Sequence, residues 1–267
     1  MANLTGRVIV ITGASSGIGA ALAVALAPRK VRLVLGARRQ DKLEAVAARV
    51  RELGSEAVAA ACDVGRREDV TALVRRAVDA WGRVDVMVAN AGFGMLARVH
   101  EMREEDFDEI FRVNVKGTWY AMQAAAEVML PQKAGHIIVM SSAAARRGLP
   151  LFGAYAMTKA AQLSLAEAMR VELWETGVYV SSVHPVTTAT EFFDVASQRS
   201  RVQSRGLGKP QSAELVAKKI VRLMERPKPE LWPHALSRVG LGMATLMPRM
   251  TDRAMRKMVP RRTGKLG

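Results

Sequence analysis

A doubly wound α/β domain built on a Rossmann-type parallel sheet is the fold this sequence predicts, and three observations carry the prediction. Short β-branched runs alternate with longer alanine-rich amphipathic stretches, as successive βαβ units require. Several of the runs are apolar at every position, as strands covered on both faces are. No linker interrupts residues 1–225, so we read one domain there, followed by a basic amphipathic helical tail over 226–267.

Composition fits this class. At 267 residues, 49% hydrophobic and 24% charged, the chain has the length and balance of a soluble globular protein with a sizeable core. Cys62 is the only cysteine, so an intramolecular disulfide is impossible and a cytoplasmic location is expected. The first strand-like run begins near Arg7, which leaves no room for a signal peptide. The formal net charge of +15 is uneven: residues 226–267 carry a net +8 and the preceding 225 residues a net +7. The excess therefore belongs to the tail and points to an attachment or interaction segment.

The elements follow in order. The first strand, Val8–Thr12, runs into Thr12-Gly13-Ala14-Ser15-Ser16-Gly17-Ile18-Gly19, and a helix is predicted over 17–29. Glycines let a backbone turn tightly and approach a pyrophosphate, while a helix N-terminus offers unsatisfied N–H groups. Between a first strand and a first helix, this pattern points to a dinucleotide. The second strand, Val31–Leu35, leads through Gly36-Ala37-Arg38-Arg39 into a helix at 41–54. An acid for a ribose 2′-hydroxyl is missing there, and two guanidiniums suit a 2′-phosphate. We therefore expect NADP, with NAD as the alternative; a solvated turn is the plainer reading of the two arginines.

The third strand, Ala57–Ala61, ends near Asp63-Val64, which are expected to hold an adenine by an acceptor and an apolar contact. Asp63 serves equally well as the cap of the next helix, 67–81. The fourth strand, Val84–Ala89, precedes Asn90-Ala91-Gly92 and a long helix at 106–130. The fifth, His136–Met140, leads to Ser141-Ser142, and the sixth, Val178–Val183, to His184-Pro185-Val186-Thr187-Thr188-Ala189-Thr190. Helices at 155–176 and 212–225 complete the domain. In such folds ligands sit at the carboxyl ends of the strands.

Tyr155 and Lys159 open the helix after Ser142, one turn apart and therefore on one face. A phenol titrates near 10, and a cation a few ångströms away favours its anion. A drop of ~2–3 units is what acid/base work near neutrality requires. A serine hydroxyl nearby can hydrogen-bond a substrate oxygen.

On these residues the chain resembles the short-chain dehydrogenase/reductase family over roughly 5–225. The family's Thr-Gly-x-x-x-Gly-x-Gly loop appears at 12–19, its Asn-Asn-Ala-Gly segment as Ala89-Asn90-Ala91-Gly92, and its helix asparagine as Asn114. Ser142 with Tyr-x-x-x-Lys at 155–159 and Pro185 after the sixth strand complete the match. The resemblance implies a nicotinamide oxidoreductase with Asn114, Ser142, Tyr155 and Lys159 as the catalytic set. Tyr155 would pass a proton to or from the substrate oxygen, and Ser142 would polarise that oxygen. Lys159 would lower the tyrosine pKa and bind the nicotinamide ribose, and Asn114 would hold a water that relays protons past Lys159. The cofactor would lie against Gly13, Ser15, Ser16, Gly17, Ile18, Gly19, Arg38, Arg39, Asp63, Val64, Asn90, Ala91, Gly92, Tyr155, Lys159, Pro185, Thr188 and Thr190. Ser141 competes with Ser142, but the thirteen-residue spacing to the tyrosine favours Ser142. Val186 stands where the family has glycine and Ala89 where it has asparagine; the latter is expected to affect stability modestly. The resemblance also implies a homodimer or homotetramer through the helices at 106–130 and 155–176.

Other polar residues take plainer readings. His136 and His184 are read as packing or capping residues, and the Arg146-Arg147 pair as a solvated loop or an anion contact. No His/Cys/Asp/Glu spacing points to a metal. Phe93, Met95, Leu149, Leu151, Phe152, Phe192 and Phe193 are expected to line an apolar pocket for a ketone, aldehyde or secondary alcohol. The polar stretch Ser197–Gln211 is read as a lid. In the tail, Leu236, Val239, Met243, Leu246, Met250, Ala254 and Met258 form an apolar stripe flanked by Arg238, Arg249 and Arg256. Two short helices meeting at Pro248 are predicted, resting over 234–258 on an anionic membrane surface or docking on the domain or a partner subunit. Two rival functions are a catalytically silent dinucleotide-sensing or scaffolding protein and a nucleic-acid binder. The intact catalytic set argues against the first, and the missing aromatics among the basic residues against the second, so no nucleic acid is expected.

Overall fold

A computed structural model describes residues 3–189, 192, 196, 210–256 and 259. The first six strands are β1 (Val8–Thr12), β2 (Arg32–Ala37), β3 (Glu56–Ala61), β4 (Val86–Ala89), β5 (Gly135–Met140) and β6 (Val178–Val183). They lie parallel in the order β3-β2-β1-β4-β5-β6, so the chain reverses direction across the sheet between β1 and β4. That reversal opens a crevice at the carboxyl ends of β1 and β4, where the ligand loops converge.

Successive strand residues point to opposite faces, and both faces are buried. Val8, Val10 and Val34 pack under α3 (Arg67–Trp81), α5 (Gly117–Gln132) and α6 (Gly153–Glu172). Ile9, Ile11 and Leu33 pack under α1 (Gly17–Leu26), α2 (Gln40–Glu52) and α7 (Ala213–Glu225). This two-sided burial is why the strands are apolar throughout. The strand β4 starts two residues later than the sequence predicts, because Asp85 turns its buried carboxylate to the Val8 amide, Arg7 and Arg83.

The helix expected over 106–130 is not continuous. α4 (Glu104–Phe111) gives way to a π-helical turn, Arg112–Lys116, before α5 begins. Such turns widen the helix by a residue and recur at functional sites. Here the turn carries the buried Asn114, whose side chain reaches sideways to the backbone of Phe93.

Residue 226 does not end the fold. β9 (Glu230–Leu231) joins β6 as the seventh strand of the main sheet, pairing Ser182 with Glu230 and Val183 with Leu231. A short pair, β7 (Thr188–Ala189) with β8 (Gln211–Ser212), lies beside it in sequence. Two helices follow, α8 (Ala235–Leu246) and α9 (Pro248–Met255), with Pro248 in the first turn of α9 as predicted. Among the described residues no helix is long and apolar enough to cross a membrane.

Candidate active site

One cleft of about 740 Å³ gathers the glycine loop, the ends of β2 to β6, Tyr155, Lys159 and the start of α8. Its floor is the loop after β1. Gly13 and Gly17 have positive φ values of 67° and 56°, a region side chains disfavour. A Cβ on Gly19 would stand 2.5 Å from the Gly13 carbonyl oxygen and 2.6 Å from Asn90 Nδ2. Ser16 precedes α1 without capping it through its side chain, which leaves first-turn N–H groups for an anion. These features fit a pyrophosphate.

The loop is stapled from behind. Asn90 Nδ2 donates to the carbonyls of Thr12 (2.8 Å) and Gly13 (3.1 Å). The Thr12 hydroxyl accepts from the Asn90 and Ala91 amides at 3.0 and 3.1 Å. Asn90 thus shapes the loop as well as lining the cleft, a role its sequence position did not reveal. Arg39 donates to the Ser16 hydroxyl at 2.6 Å, while Arg38 is exposed at the cleft rim. Asp63 does not cap α3. Its carboxylate accepts from the Gly65 amide (3.0 Å) and from Arg112 (3.1 Å). Burial opposes its charge, but these two partners and nearby Arg38 outweigh it and hold the carboxyl below its ordinary value. Ile18, Val64, Gly92, Pro185 and Thr188 line the cleft; Thr190 lies outside the described residues.

At the other end, the Ser142 hydroxyl lies beside the Tyr155 phenol and pulls its pKa down. Ser142 Oγ also accepts from the Ala144 amide at 3.1 Å, which fixes the turn after β5. Ser141 turns away: its hydroxyl donates to the Lys159 carbonyl at 2.9 Å in a buried position. That commitment leaves Ser142 as the serine beside the phenol. The Tyr155 ring is flanked by Phe192 and Phe152, with centroids 5.1 and 6.2 Å away. Burial pushes the phenol up to about 12, against the pull of Ser142. Lys159 is itself pushed down to about 7 by burial. Its Nζ lies 5.6 Å from the Tyr155 ring centre and donates to the Met140 carbonyl and to Gln162 Oε1, each at 2.8 Å. The expected lowering of the tyrosine by the lysine is therefore not produced by the protein's own groups, because desolvation dominates at both sites.

Asn114 is fully buried, and all of its polar atoms face protein. Its Nδ2 donates to the Phe93 carbonyl and Thr158 Oγ1, and its backbone carbonyl accepts from Thr118 Oγ1 and Gln162 Nε2. Thr118 and Gln162 thus bond the backbone carbonyl of the residue on which the resemblance expects a water. His184, read as a packing residue, is fully buried; its Nδ1 lies 3.3 Å from the Ser142 carbonyl oxygen and its ring stacks on Trp232. His136 pairs with Ser181 at the far end of β5.

The residues expected to line an apolar pocket are divided in the structure. Phe93, Leu149, Phe152 and Phe192 line the cleft, with Val186, whose φ is not left-handed, beside them. Met95 belongs to the core instead, and Leu151 does not line the cleft. Phe193 and most of the expected lid lie outside the described residues. Ser237 and Leu241 of α8 form a wall that the sequence did not show. Arg146 is exposed, as a solvated loop residue would be, but it pairs with Glu230, and Arg147 pairs with Asp252, which holds the C-terminal segment against the Ser142 turn. The tail's apolar stripe faces outward, with Leu236 75% and Leu246 82% exposed.

Comparison with known proteins adds to this geometry. A family profile described as short chain dehydrogenase matches residues 7–201. An uncharacterised oxidoreductase of Listeria innocua is 35% identical over 199 residues, covering 74% of this chain and 80% of its own. An alcohol dehydrogenase from the archaeon Thermococcus sibiricus, solved with 5-hydroxy-NADP, is 32% identical with a TM-score of 0.75 over 85% of this chain and 95% of its own. A second solved structure, from Burkholderia phymatum in complex with NAD, is 26% identical with a TM-score of 0.85 and covers 100% of both chains.

Proposed function

The chain belongs to the short-chain dehydrogenase/reductase family, and on that premise we propose that it is an NADP-dependent oxidoreductase interconverting an apolar ketone or aldehyde with its alcohol. The observation that carries the reading is the convergence of Ser142, Tyr155 and Lys159, set among Phe93, Phe152 and Phe192 in the cleft that begins at the glycine loop. When bound, the nicotinamide supplies or accepts the hydride. Tyr155 gives its proton to the carbonyl oxygen in reduction and takes it from the alcohol in oxidation. Ser142 donates to the same oxygen and orients it. Lys159 holds the cofactor ribose, and Asn114 fixes the Phe93 backbone at the cleft wall.

The preference for NADP rests on Arg38 and Arg39 at the end of β2 and the lack of an acid there. The intact catalytic set disfavours a silent dinucleotide sensor. Exposed Phe107, Trp119, Val171 and Trp174 lie on or just beyond α4, α5 and α6 and support a homodimer or homotetramer through those helices. The outward stripe of α8 and α9, with Arg238, Arg249, Arg253 and Arg256 around it, supports contact with an anionic membrane surface. An NADPH-oxidation screen over apolar ketones and aldehydes, paired with an NADP-reduction screen over alcohols, tests the assignment. Turnover confined to sugars would overturn the apolar class.

A further inference from the structure

Three residues beyond Lys159 on α6, Gln162 is fully buried on the face that also carries Thr158 and Lys159 among alanines and Leu163. Its Oε1 accepts from Lys159 Nζ at 2.8 Å. Its Nε2 donates to the Asn114 carbonyl at 2.7 Å and to Thr118 Oγ1 at 2.6 Å. Both amide hydrogens and an oxygen lone pair are thus engaged, which fixes the carboxamide's orientation. With a second hydrogen of Nζ on the Met140 carbonyl, only one is left to point toward Gly92 and the cleft.

We propose that Gln162 is a positioning residue for the reaction, holding the Lys159 ammonium on the Asn114 carbonyl by a side-chain link where the family resemblance expects a water. This rests on the oxidoreductase reading above. A water passes a proton on by exchanging one O–H bond for another. A carboxamide must become an imidic acid to do the same, so this link holds Lys159 without relaying. Protons to and from Tyr155 then travel through the cleft rather than between α5 and α6. The link also governs the charge on Lys159. Burial opposes that charge, and the carboxamide oxygen and the Met140 carbonyl are the acceptors that sustain it. The π turn, α5 and β5 present Asn114, Thr118 and the Met140 carbonyl to this cluster, all uncharged, and the titratable neighbour is the Tyr155 phenol.

The test reads Lys159 directly. In protein labelled at lysine Cε, the Lys159 resonance is identified by its loss in Lys159→Met and titrated in the wild type, Gln162→Met and Gln162→Glu. Methionine keeps the length and removes the acceptor; glutamate places a carboxylate against the ammonium. The titration midpoint is expected to fall by about one pH unit in Gln162→Met and to rise by about one in Gln162→Glu. Thermal unfolding of each variant establishes that it is folded. A merely structural glutamine would shift the melting temperature in both variants and move the midpoint in neither, and that result would overturn the proposal. Because the readout needs no turnover, its failure is separable from a failure of the oxidoreductase reading, which Tyr155→Phe tests.

Discussion

The imidazole of His184 lies flat on the indole of Trp232, with ring centres 4.4 Å apart and planes 14° from parallel. His184 in turn reaches the Ser142 carbonyl, so the segment after α7 braces the serine beside Tyr155. Glu230 extends the brace by pairing with Arg146 in the turn that Ser142 begins. Removing the indole forfeits a stacked pair of about 0.5–1.5 kcal/mol. Trp232→Leu is therefore expected to lower kcat by roughly 2–10-fold, with NADPH affinity unchanged in a fluorescence titration. A chain ending at Arg226 loses β9 as well and should be inactive and destabilised, whereas one ending after Pro233 keeps the sheet.

Acid should weaken the fold through its buried histidines. His136 is pushed down to about 3 and His184 to about 4, both by burial, from an ordinary 6.5. Each is neutral in the folded protein, while the unfolded chain takes up protons near 6.5. The unfolded state thus binds more protons below that value, and stability rises with pH up to it. As pH falls from about 6.5 toward 4 the urea midpoint should drop. His136→Gln should flatten that slope. A midpoint constant from pH 7.5 to 4.5 would contradict the burial account.

Arg38 should decide between the two cofactors. A charge-assisted bond to a phosphate is worth about 1.5–3 kcal/mol, or roughly 10–150-fold. Arg38→Ala is expected to raise the NADPH KM by roughly that factor and leave the NADH KM within about twofold. Steady-state kinetics with both cofactors measure it, and an equal rise for both would remove the 2′-phosphate reading.

The glycine loop is itself sensitive to one methyl group. Gly19→Ala would set a Cβ within 2.5 Å of the Gly13 carbonyl and against Asn90, both held by the Thr12 staple. We expect NADPH binding to fall by at least about tenfold, with the loss in melting temperature confined to a few degrees.

Much of this molecule could be read locally. β1 to β6 announce themselves because two-sided burial demands continuous apolar runs, and the glycine loop and Tyr155–Lys159 because their chemistry is set by spacing within one turn. What escaped depends on partners remote in sequence. The π turn at 112–116 has no helix-breaking residue; it follows from Asn114 reaching Phe93 and Gln162. β9 is two residues between prolines and exists because β6 offers an edge. Arg146 and Arg147 looked solvated since Glu230 and Asp252 lie some hundred residues on. Gln162 did leave a trace, a lone amide on the buried face that carries Lys159, and that pattern is what could have found it.

The central claim is that Tyr155 moves the proton, and Tyr155→Phe tests it most directly. Phenylalanine keeps the ring between Phe152 and Phe192 and removes only the hydroxyl beside Ser142. With an accepted substrate, turnover is predicted to fall by at least ~10²-fold, while NADPH binding by fluorescence stays within about twofold. Turnover near the wild-type rate, with the cofactor bound, would contradict the account.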